Sequence, residues 1–190
     1  MDHPKATPAS PPTHRKLRTV EMKRLTAEEY HEAEKVPLVV VLDDVRSMHN
    51  VGSVLRTADA FRLEAVWMCG ITGTPPHAEI HKTALGAEDS VDWHYCASAT
   101  EAVELLGEQG AEVLAVEQAE GSTMLHDFHP DPSRRYAIVM GNEVKGVHQE
   151  VIDRCHGCIE IPQRGTKHSM NVSVAAGIVI YHFAQALRPA

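Results

Sequence analysis

The sequence predicts an α/β fold, with a mostly parallel sheet flanked by helices. Short apolar runs occur along the chain, and the first of them, LVVVLD at residues 38–43, is apolar on both faces, as buried parallel strands are. Between such runs lie segments with apolar residues at helical spacing, as at residues 50–61. Strands that alternate with helices are typical of a parallel sheet with helices on both faces.

The elements follow in order along the chain. Thr26 as N-cap and Glu29 three residues later form a capping box, which predicts a short helix that ends at Pro37. Strands are then predicted at residues 38–43, 65–69, 91–96, 112–117, 136–140 and 159–161, and helices at 50–61, 99–109 and 169–187. Ligands of such sheets bind beyond the carboxyl ends of the strands.

The predicted C-terminal helix is unusual. Its sequence, MNVSVAAGIVIYHFAQAL, is apolar almost all round. A helix that is apolar on every side has to be buried on every side. In a small domain this predicts either a central helix or a subunit interface.

Composition limits the class of protein. The chain has 190 residues, of which 43% are hydrophobic, so it suits one domain with a sizeable core. No apolar run reaches the roughly 18 residues that a membrane span needs, and the polar, Pro-rich start is not a secretory signal. Four cysteines do not suggest a disulfide scaffold, which by elimination favours the cytoplasm.

The net charge of −8 is unevenly distributed. Residues 1–25 hold six basic and two acidic residues, whereas the rest of the chain holds 12 basic and 24 acidic ones. We therefore divide the chain into a basic, flexible arm at residues 1–25 and one domain at residues 26–190. The acidic domain is not a general nucleic-acid binder, so a polyanion partner would need a local basic site or the arm. In the arm, either a solvated tail or contacts with a polyanion are consistent with the composition.

Three polar clusters take the place of the usual nucleotide motifs. The chain has no G-x-G-x-x-G after the first strand and no P-loop. The first cluster contains Asn50, placed as a helix N-cap, and Gly52, which permits close backbone approach. It also contains Arg56, either a surface residue or a bidentate phosphate clamp.

The other two clusters also adjoin predicted strands. GNEVKG at 141–146 forms a tight loop in which Glu143 can hold a helix end or orient a catalytic group. In the segment 161–173, Ser169 or Asn171 is expected to cap the last helix. Arg164 and Lys167 place positive charge beside that helix.

Together these clusters resemble a known family. DDVRSMHNVGSVLRTADAF (43–61), IVMGNEVKGV (138–147) and IPQRGTKHSMNVSVAA (161–176) are similar to the three motifs of the SpoU (TrmH-type) family of the SPOUT superfamily of RNA methyltransferases, and they occur in the family order. The resemblance implies a C-terminal trefoil knot, an exception to the rule that chains do not thread. It also implies S-adenosylmethionine as methyl donor and a homodimer through the C-terminal helix and knot region. The reaction implied is methylation of a ribose 2′-hydroxyl of tRNA or rRNA.

The resemblance also assigns site residues by matching position. Arg56 is the implied catalytic residue, supported by Asn50, Glu143 and Asn171. The implied cofactor-binding residues are Val116, Gly141, Ile161, Ser169 and Met170. RNA contacts are expected from Arg15, Lys16, Arg18, Arg164 and Lys167.

The implied chemistry is physically reasonable. A ribose hydroxyl becomes a nucleophile only when its proton leaves and the alkoxide is stabilised. A free guanidinium stays protonated, so Arg56 suits a clamp and oxyanion stabiliser better than a base. The alternative is a knotted RNA-binding protein without catalysis, but the intact catalytic set favours the enzyme. The short extension favours tRNA as substrate, by analogy alone.

Some residues depart from these patterns. Arg62 stands where the family often has Gly, and Gln163 where Met is common. Cys155 and Cys158 have Cys-x-x-Cys spacing, but a structural zinc site needs a second ligand pair, and a redox motif would open a helix, whereas this one leads into a strand. We expect no metal site.

Overall fold

The computed structural model describes residues 14–187, so the part of the predicted arm at residues 1–13 lies outside the described residues. Its strands are β1 (Val36–Asp43), β2 (Leu63–Cys69), β3 (Trp93–Cys96), β4 (Ala111–Val116), β5 (Thr123–Met124), β6 (Arg135–Met140) and β7 (Gly157–Glu160). They form one sheet in the order β3-β2-β1-β6-β4-β7-β5, and every neighbouring pair is parallel. The predicted fold class is confirmed.

The helices connect these strands. They are α1 (Ala27–Glu32), α2 (Met48–Phe61), α3 (Ala78–Ala84), α4 (Ala87–Ser90), α5 (Ala99–Glu108), α6 (Gln149–Ile152) and α7 (Val172–Ala186). The sequence predicted the four that carry a cap or a full apolar period. It missed α3, α4 and α6, because segments of four to seven residues show too little periodicity to predict a helix.

The capping box is confirmed, but the predicted end of its helix was wrong, because α1 ends at Glu32. Thr26 accepts from the Glu29 N–H while the Glu29 side chain accepts from the Thr26 N–H. Pro37 does not end that segment but lies within β1, where the register with β2 shifts between Val36 and Val39. Such an irregularity accommodates a residue that has no N–H to donate.

The start of α2 also differs from the prediction. Ser47, and not Asn50, is the N-cap, and its hydroxyl accepts from the Asn50 N–H at 3.3 Å. The helix ends at Arg62, which adopts the left-handed conformation with φ 50°. Glycine is favoured at such a position, which accounts for the glycine of the family pattern, and nothing in the structure explains the arginine here.

Both faces of the sheet are buried, as the unbroken apolar strands predict. In β1, Leu38 and Leu42 face a core that includes α2 and α7, while Val39 and Val41 face a second core that includes α5 and α6. The carboxyl edge of this two-sided sheet is therefore its accessible functional edge. None of the helices within residues 14–187 has the length and hydropathy that a bilayer crossing requires.

Helix α7 is a core helix on one face and carries an exposed apolar strip on the other. Ala176, Ile180 and Phe183 are fully buried in the core. On its outer face, three large apolar side chains are exposed: Val174 (52%), Ile178 (38%) and Tyr181 (57%). An exposed apolar strip of this kind is typical of a helix face that contacts another protein surface.

Candidate active site

The carboxyl ends of β4, β6 and β7 surround a cavity of about 950 Å³. Its lining includes all five residues predicted to bind a cofactor: Val116, Gly141, Ile161, Ser169 and Met170. Glu143 also lines it. Residues that are distant in sequence meet here because these parallel strands are neighbours in the sheet.

A chain of hydrogen bonds connects the three sequence motifs. The Asn50 side-chain N–H donates to Glu143 Oε1 at 2.9 Å, and the Asn171 side-chain N–H donates to Asn50 Oδ1 at 3.1 Å. Asn50 is buried, so this polar group is paired on both of its ends. The structure therefore brings together three of the four predicted catalytic residues.

Glu143 fixes the start of α2. Its Oε2 accepts from the Arg46 N–H and its Oε1 from the Ser47 N–H, each at 3.0 Å. Negative charge at a helix N-terminus is also favoured by the helix dipole. Of the two roles predicted for Glu143, the first, holding a helix end, is confirmed.

These contacts also determine the ionisation of Glu143. Burial raises the pKa of its carboxyl, but the hydrogen bonds from the Arg46 N–H, the Asn50 amide and the Ser47 N–H together outweigh burial, so its pKa lies below the usual value. The side chain is therefore an ionised hydrogen-bond acceptor at neutral pH.

Asn171 fixes the start of α7 in the same manner. Its Oδ1 accepts from the Ser173 N–H at 2.9 Å and the Val174 N–H at 3.4 Å, so Asn171 is the N-cap. Ser169, the other predicted cap, lies in the preceding loop and lines the cavity. Because Asn171 also bonds to Asn50, the starts of α2 and α7 are held together.

The loop at residues 141–146 needs its glycines. A Cβ on Gly141 would lie 2.1 Å from the Gly146 carbonyl carbon, and one on Gly146, whose φ is +70°, would lie 2.1 Å from Glu117 Oε2. The Glu117 carboxylate occupies this space and accepts from the Val147 N–H at 3.0 Å. The backbone of this loop can therefore approach a ligand in the cavity closely.

The sequence reasoning missed two residues of this loop network, Glu117 and Asn142. Asn142 is buried, donates to the Asp44 carbonyl, and accepts from the Val144 and Lys145 N–H groups. Its place between a strand and a glycine-bounded turn was an available signal. Glu117 follows β4 without any motif, so nothing in the sequence distinguished it.

Arg56 is not part of this hydrogen-bonded group within one chain. It is exposed on α2 and lines a separate surface pocket of about 490 Å³, together with Phe61 and Lys82. Six residues separate it from Asn50, which is about 240° of rotation around a helix. It forms no ion pair and no side-chain hydrogen bond within residues 14–187.

Gly52 serves helix packing. A Cβ here would lie 2.3 Å from the Ile80 carbonyl oxygen and 2.2 Å from Thr83 Oγ1 on α3. The close backbone approach that the sequence predicted at Gly52 is therefore one between α2 and α3.

The predicted RNA-binding residues differ in their surroundings. Arg164 and Lys167 are exposed in the loop between β7 and α7, next to the cavity-lining Ser169. In the arm, Arg15, Lys16 and Arg18 are all exposed, and Arg15 and Arg18 both pair with Glu21.

In the Cys-x-x-Cys pair, Cys155 lies between α6 and β7 and Cys158 lies within β7. Burial raises the pKa of the Cys155 thiol to about 12 and also raises that of Cys158, whose Sγ donates to the Glu117 carbonyl at 3.4 Å. Thiols with raised pKa values are poor nucleophiles and poor metal ligands.

A polar network also lies where β1 ends. Asp43 is buried, and its carboxylate accepts from the His148 N–H and contacts His148 Nδ1 at 2.9 Å. Nε2 of His148 lies 3.9 Å from Asp44 Oδ2. Asp43, Asp44 and His148 each have one atom that could ligate a metal ion, and these three atoms lie within 4.8 Å of one another. The hydrogen bonds to His148 satisfy the buried Asp43 carboxylate without any ion.

Comparison with known proteins agrees with this geometry. The model of the SpoU rRNA Methylase family matches residues 37–181. The 23S rRNA (guanosine-2′-O-)-methyltransferase RlmB of Neisseria meningitidis is 34% identical over 144 residues, which are 76% of this chain and 56% of that protein. RlmB of Vibrio cholerae is 35% identical over 146 residues, or 76% of this chain and 58% of that protein.

Solved structures show the same fold. An rRNA methyltransferase from Sinorhizobium meliloti with bound AdoMet (S-adenosylmethionine) has a TM-score of 0.74 and 26% identity, covering 84% of this chain and 61% of that one. A structure described as giving insights into the 2-OH methylation of C/U34 on tRNA has a TM-score of 0.68 and 26% identity, covering 79% of this chain and 95% of that one.

The matches cover most of this chain but only part of its curated relatives. This chain spans somewhat more than half the length of the curated relatives it matches. The family model covers most of the chain and contains all three motifs whose side chains meet at the cavity. The chain therefore belongs to the SpoU rRNA methylase family.

Proposed function

We propose that this protein transfers a methyl group from S-adenosylmethionine to a ribose 2′-hydroxyl of rRNA. The observation that carries the proposal is the hydrogen-bonded chain Glu143–Asn50–Asn171, which joins the three family motifs beside the cavity. The bacterial relatives named as 23S rRNA (guanosine-2′-O-)-methyltransferases support the reaction and the substrate class.

The cavity suits S-adenosylmethionine by its size and charge. Its lining carries five carboxylates and one lysine: Glu117, Glu120, Glu143, Asp153, Glu160 and Lys145. This balance suits a ligand with a sulfonium and an ammonium group. The cofactor supplies an electrophilic methyl group when it is bound. Gly141, Ile161 and Met170 would hold it with backbone and apolar contacts.

In this mechanism the residues of the chain mainly position groups. Glu143 and Asn171 fix the starts of α2 and α7, and Asn50 holds the two together. Arg56 stays protonated, clamps a substrate phosphate and stabilises the developing ribose alkoxide. The 2′-hydroxyl proton leaves through that phosphate or through solvent.

We further propose that a second copy of the chain completes the site. Arg56 lies outside the cavity of its own chain, so it can serve catalysis only at a cavity of another copy. The ring of Phe61, at the end of the same helix, lies 6.0 Å from the ring of Tyr181 on the exposed strip of α7. Arg56 and this apolar strip thus belong to one surface. The trefoil knot implied by the family stays a prediction and is part of the same proposal.

The substrate class differs from the one that the sequence favoured. The short arm predicted tRNA, but the curated relatives do not support that preference, since those compared here are named for 23S rRNA. The match to the structure described for tRNA methylation covers 95% of that structure's chain. We therefore take tRNA as the second substrate to test.

The test is methyl transfer to separated RNA fractions. Labelled S-adenosylmethionine is incubated with rRNA and with tRNA, and wild type is compared with Arg56→Ala. We expect label in the rRNA fraction and a loss of about 10²–10³-fold in rate for the variant, the usual cost of one oxyanion donor. Arg56→Lys should restore little, because an ammonium lacks the planar fork.

The control is Arg134→Ala, which removes an exposed cation beside the opposite, amino-terminal edge of the sheet. It should transfer methyl groups at the wild-type rate. Near-normal turnover by Arg56→Ala would refute the catalytic role. Absence of label in both fractions, with the cofactor still bound, would favour the non-catalytic RNA-binding alternative.

A further inference from the structure

Large exposed side chains form a row along the carboxyl edge of the sheet. They stand in the loops after β6, β1 and β2 and at the end of β3, which are neighbouring strands in that order. Val144 is 78% exposed, Ile71 64% and Tyr95 58%, and Arg46 and Lys145 are also exposed. We call these five residues the edge strip.

Contacts between the loops make the edge strip one continuous surface. The Arg46 N–H donates to Glu143, which immediately precedes Val144. The Ile71 N–H donates to Asp44 Oδ1 at 2.9 Å and so ties the loop after β2 to the loop after β1. Val144 and Lys145 also line the cofactor cavity, so the strip starts at the candidate active site and runs away from it.

The charges of the strip are available to a ligand. Neither Arg46 nor Lys145 forms an ion pair or a side-chain hydrogen bond anywhere in residues 14–187. By contrast, Arg134, Arg135 and Arg154 are each paired with a glutamate. Two carboxylates in the loops that carry these cations are already engaged, Glu143 by three N–H groups and Asp44 by the Ile71 N–H. In an acidic domain, two free cations beside the active site favour phosphate contacts.

Tyr95 is held in place with its ring in solvent. Its hydroxyl donates to the Gly70 carbonyl at 3.2 Å, directly before Ile71. A tethered, exposed aromatic ring loses little conformational entropy when a ligand stacks on it. Proteins bind unpaired nucleic-acid bases in this manner, with cations along the backbone and aromatic rings against the bases.

We propose that the edge strip binds an unpaired segment of the substrate RNA next to the methylated nucleotide. Arg46 and Lys145 contact phosphates, Tyr95 stacks on a base, and Ile71 and Val144 pack against sugars and bases. The proposal rests on RNA as the substrate of the proposed function. It adds the path of the strand and the requirement that this part of the RNA is single-stranded.

The test measures RNA binding separately from catalysis. The probe is a short single-stranded oligoribonucleotide in which one adenine is replaced by 2-aminopurine, whose fluorescence changes when it stacks on an aromatic ring. Wild type should bind it and change its fluorescence. Tyr95→Ala should weaken binding about 5- to 100-fold and abolish the change, as for the loss of one stacked base.

Two further variants separate stacking from folding and from charge. Tyr95→Phe removes the tether to Gly70 but keeps the ring, so it should keep most of the affinity. The double variant Arg46→Ala/Lys145→Ala should lower the slope of log affinity against log salt by about 1 to 2. Leu105→Ala, at an exposed apolar residue on α5, should bind RNA as wild type does.

The outcomes decide the inference independently of the proposed function. The inference fails if Tyr95→Ala binds the probe as tightly as wild type, or if wild type gives no fluorescence change. In either case the edge strip does not bind RNA as proposed, whatever the methyl-transfer assay shows. If Tyr95→Ala changes the oligomeric state and not RNA binding, the strip is a protein interface. If the probe binds as expected but no RNA accepts label, RNA binding by the edge strip is supported and the proposed enzymatic activity fails.

Discussion

At the scale of the residue, Glu143 explains more of this site than any other side chain. Its carboxylate accepts hydrogen bonds from two backbone N–H groups and from Asn50. It thereby links the loop after β6 to the start of α2, and through Asn50 to Asn171 and α7. Directly or through Asn50, this one carboxylate thus connects residues of all three motifs.

Glu143→Gln should destabilise the fold by about 1–3 kcal/mol. The substitution replaces one acceptor oxygen by an NH₂ group, which then faces a backbone N–H that has no other partner. Urea unfolding of wild type and variant measures the difference. The control, Glu150→Gln on α6, changes an exposed carboxylate and should leave the free energy of unfolding unaltered.

The same residue predicts a pH dependence. Because the pKa of Glu143 is lower in the folded state than its usual value, its stabilising effect is complete above the usual pKa and disappears as the pH falls through the folded value. The difference in unfolding free energy between wild type and Glu143→Gln should therefore shrink below about pH 4.3. A difference that stays constant down to low pH would contradict the assigned hydrogen bonds.

At the scale of the element, α2 is held closely on two sides. Its start is fixed by Glu143 and Ser47, and its middle lies against α3 at Gly52. The same helix carries Asn50 on a buried face and Arg56 on an exposed one. The position of α2 therefore determines the geometry of both.

Gly52→Ala should destabilise the protein by about 1–3 kcal/mol, since its Cβ would overlap the backbone carbonyl of Ile80 and push α2 away from α3. The midpoint temperature of thermal unfolding and the affinity for the cofactor measure the effect. Both values should decrease in the variant. Gly107→Ala on α5 is the matched control, because its Cβ would meet only His156 at an ordinary 3.6 Å. It should be neutral or stabilising by up to about 1 kcal/mol. Equal stability of the two variants would refute the packing argument.

At the scale of the whole molecule, the exposed strip of α7 and the position of Arg56 favour assembly of two copies. Val174, Ile178 and Tyr181 recur at helical spacing on a face that the monomer leaves in solvent. Arg56 lines a separate surface pocket and not the cavity beside the polar positioning residues. Both observations are explained if the partner supplies Arg56.

Ile178→Asp should convert a dimer into a monomer and reduce methyl transfer at least about tenfold, because a buried, unpaired charge at an interface is costly. Light scattering after size exclusion measures the mass. Leu105→Asp places the same charge at a residue of equal exposure, 38%, on the opposite layer. That variant should keep the mass and the activity of wild type. A wild-type protein that is monomeric at all concentrations would refute the assembly.

The basic arm gives a second prediction at this scale. Replacing Arg15, Lys16 and Arg18 by alanine should weaken binding to rRNA and lower the salt slope by up to about 2 to 3. Arg15 and Arg18 share Glu21 as partner, so part of their charge is already neutralised and the change should fall short of three full contacts. The affinity is measured over a series of salt concentrations. An unchanged slope would exclude arm–phosphate contacts.

The sequence by itself determined the order and type of the longer elements. Continuous apolar strands, the Thr26–Glu29 capping box and helical periodicity are local signals, and the parallel α/β fold follows from them. The three motifs also predicted Asn50, Glu143 and Asn171 as site residues, and in the structure hydrogen bonds join these three side chains. The short helices were missed because four to seven residues carry little periodic information. The start of α2 was misplaced because Ser and Asn are both favoured as N-caps, and Ser47, not Asn50, takes that place.

Only the tertiary structure decided which groups actually touch. The hydrogen bonds of Glu143, the space under Gly146 filled by Glu117, and the separation of Arg56 from its own cavity all depend on which strands are neighbours in the sheet. Strand order is set by packing between residues far apart in the chain. Local patterns along the sequence do not contain that information.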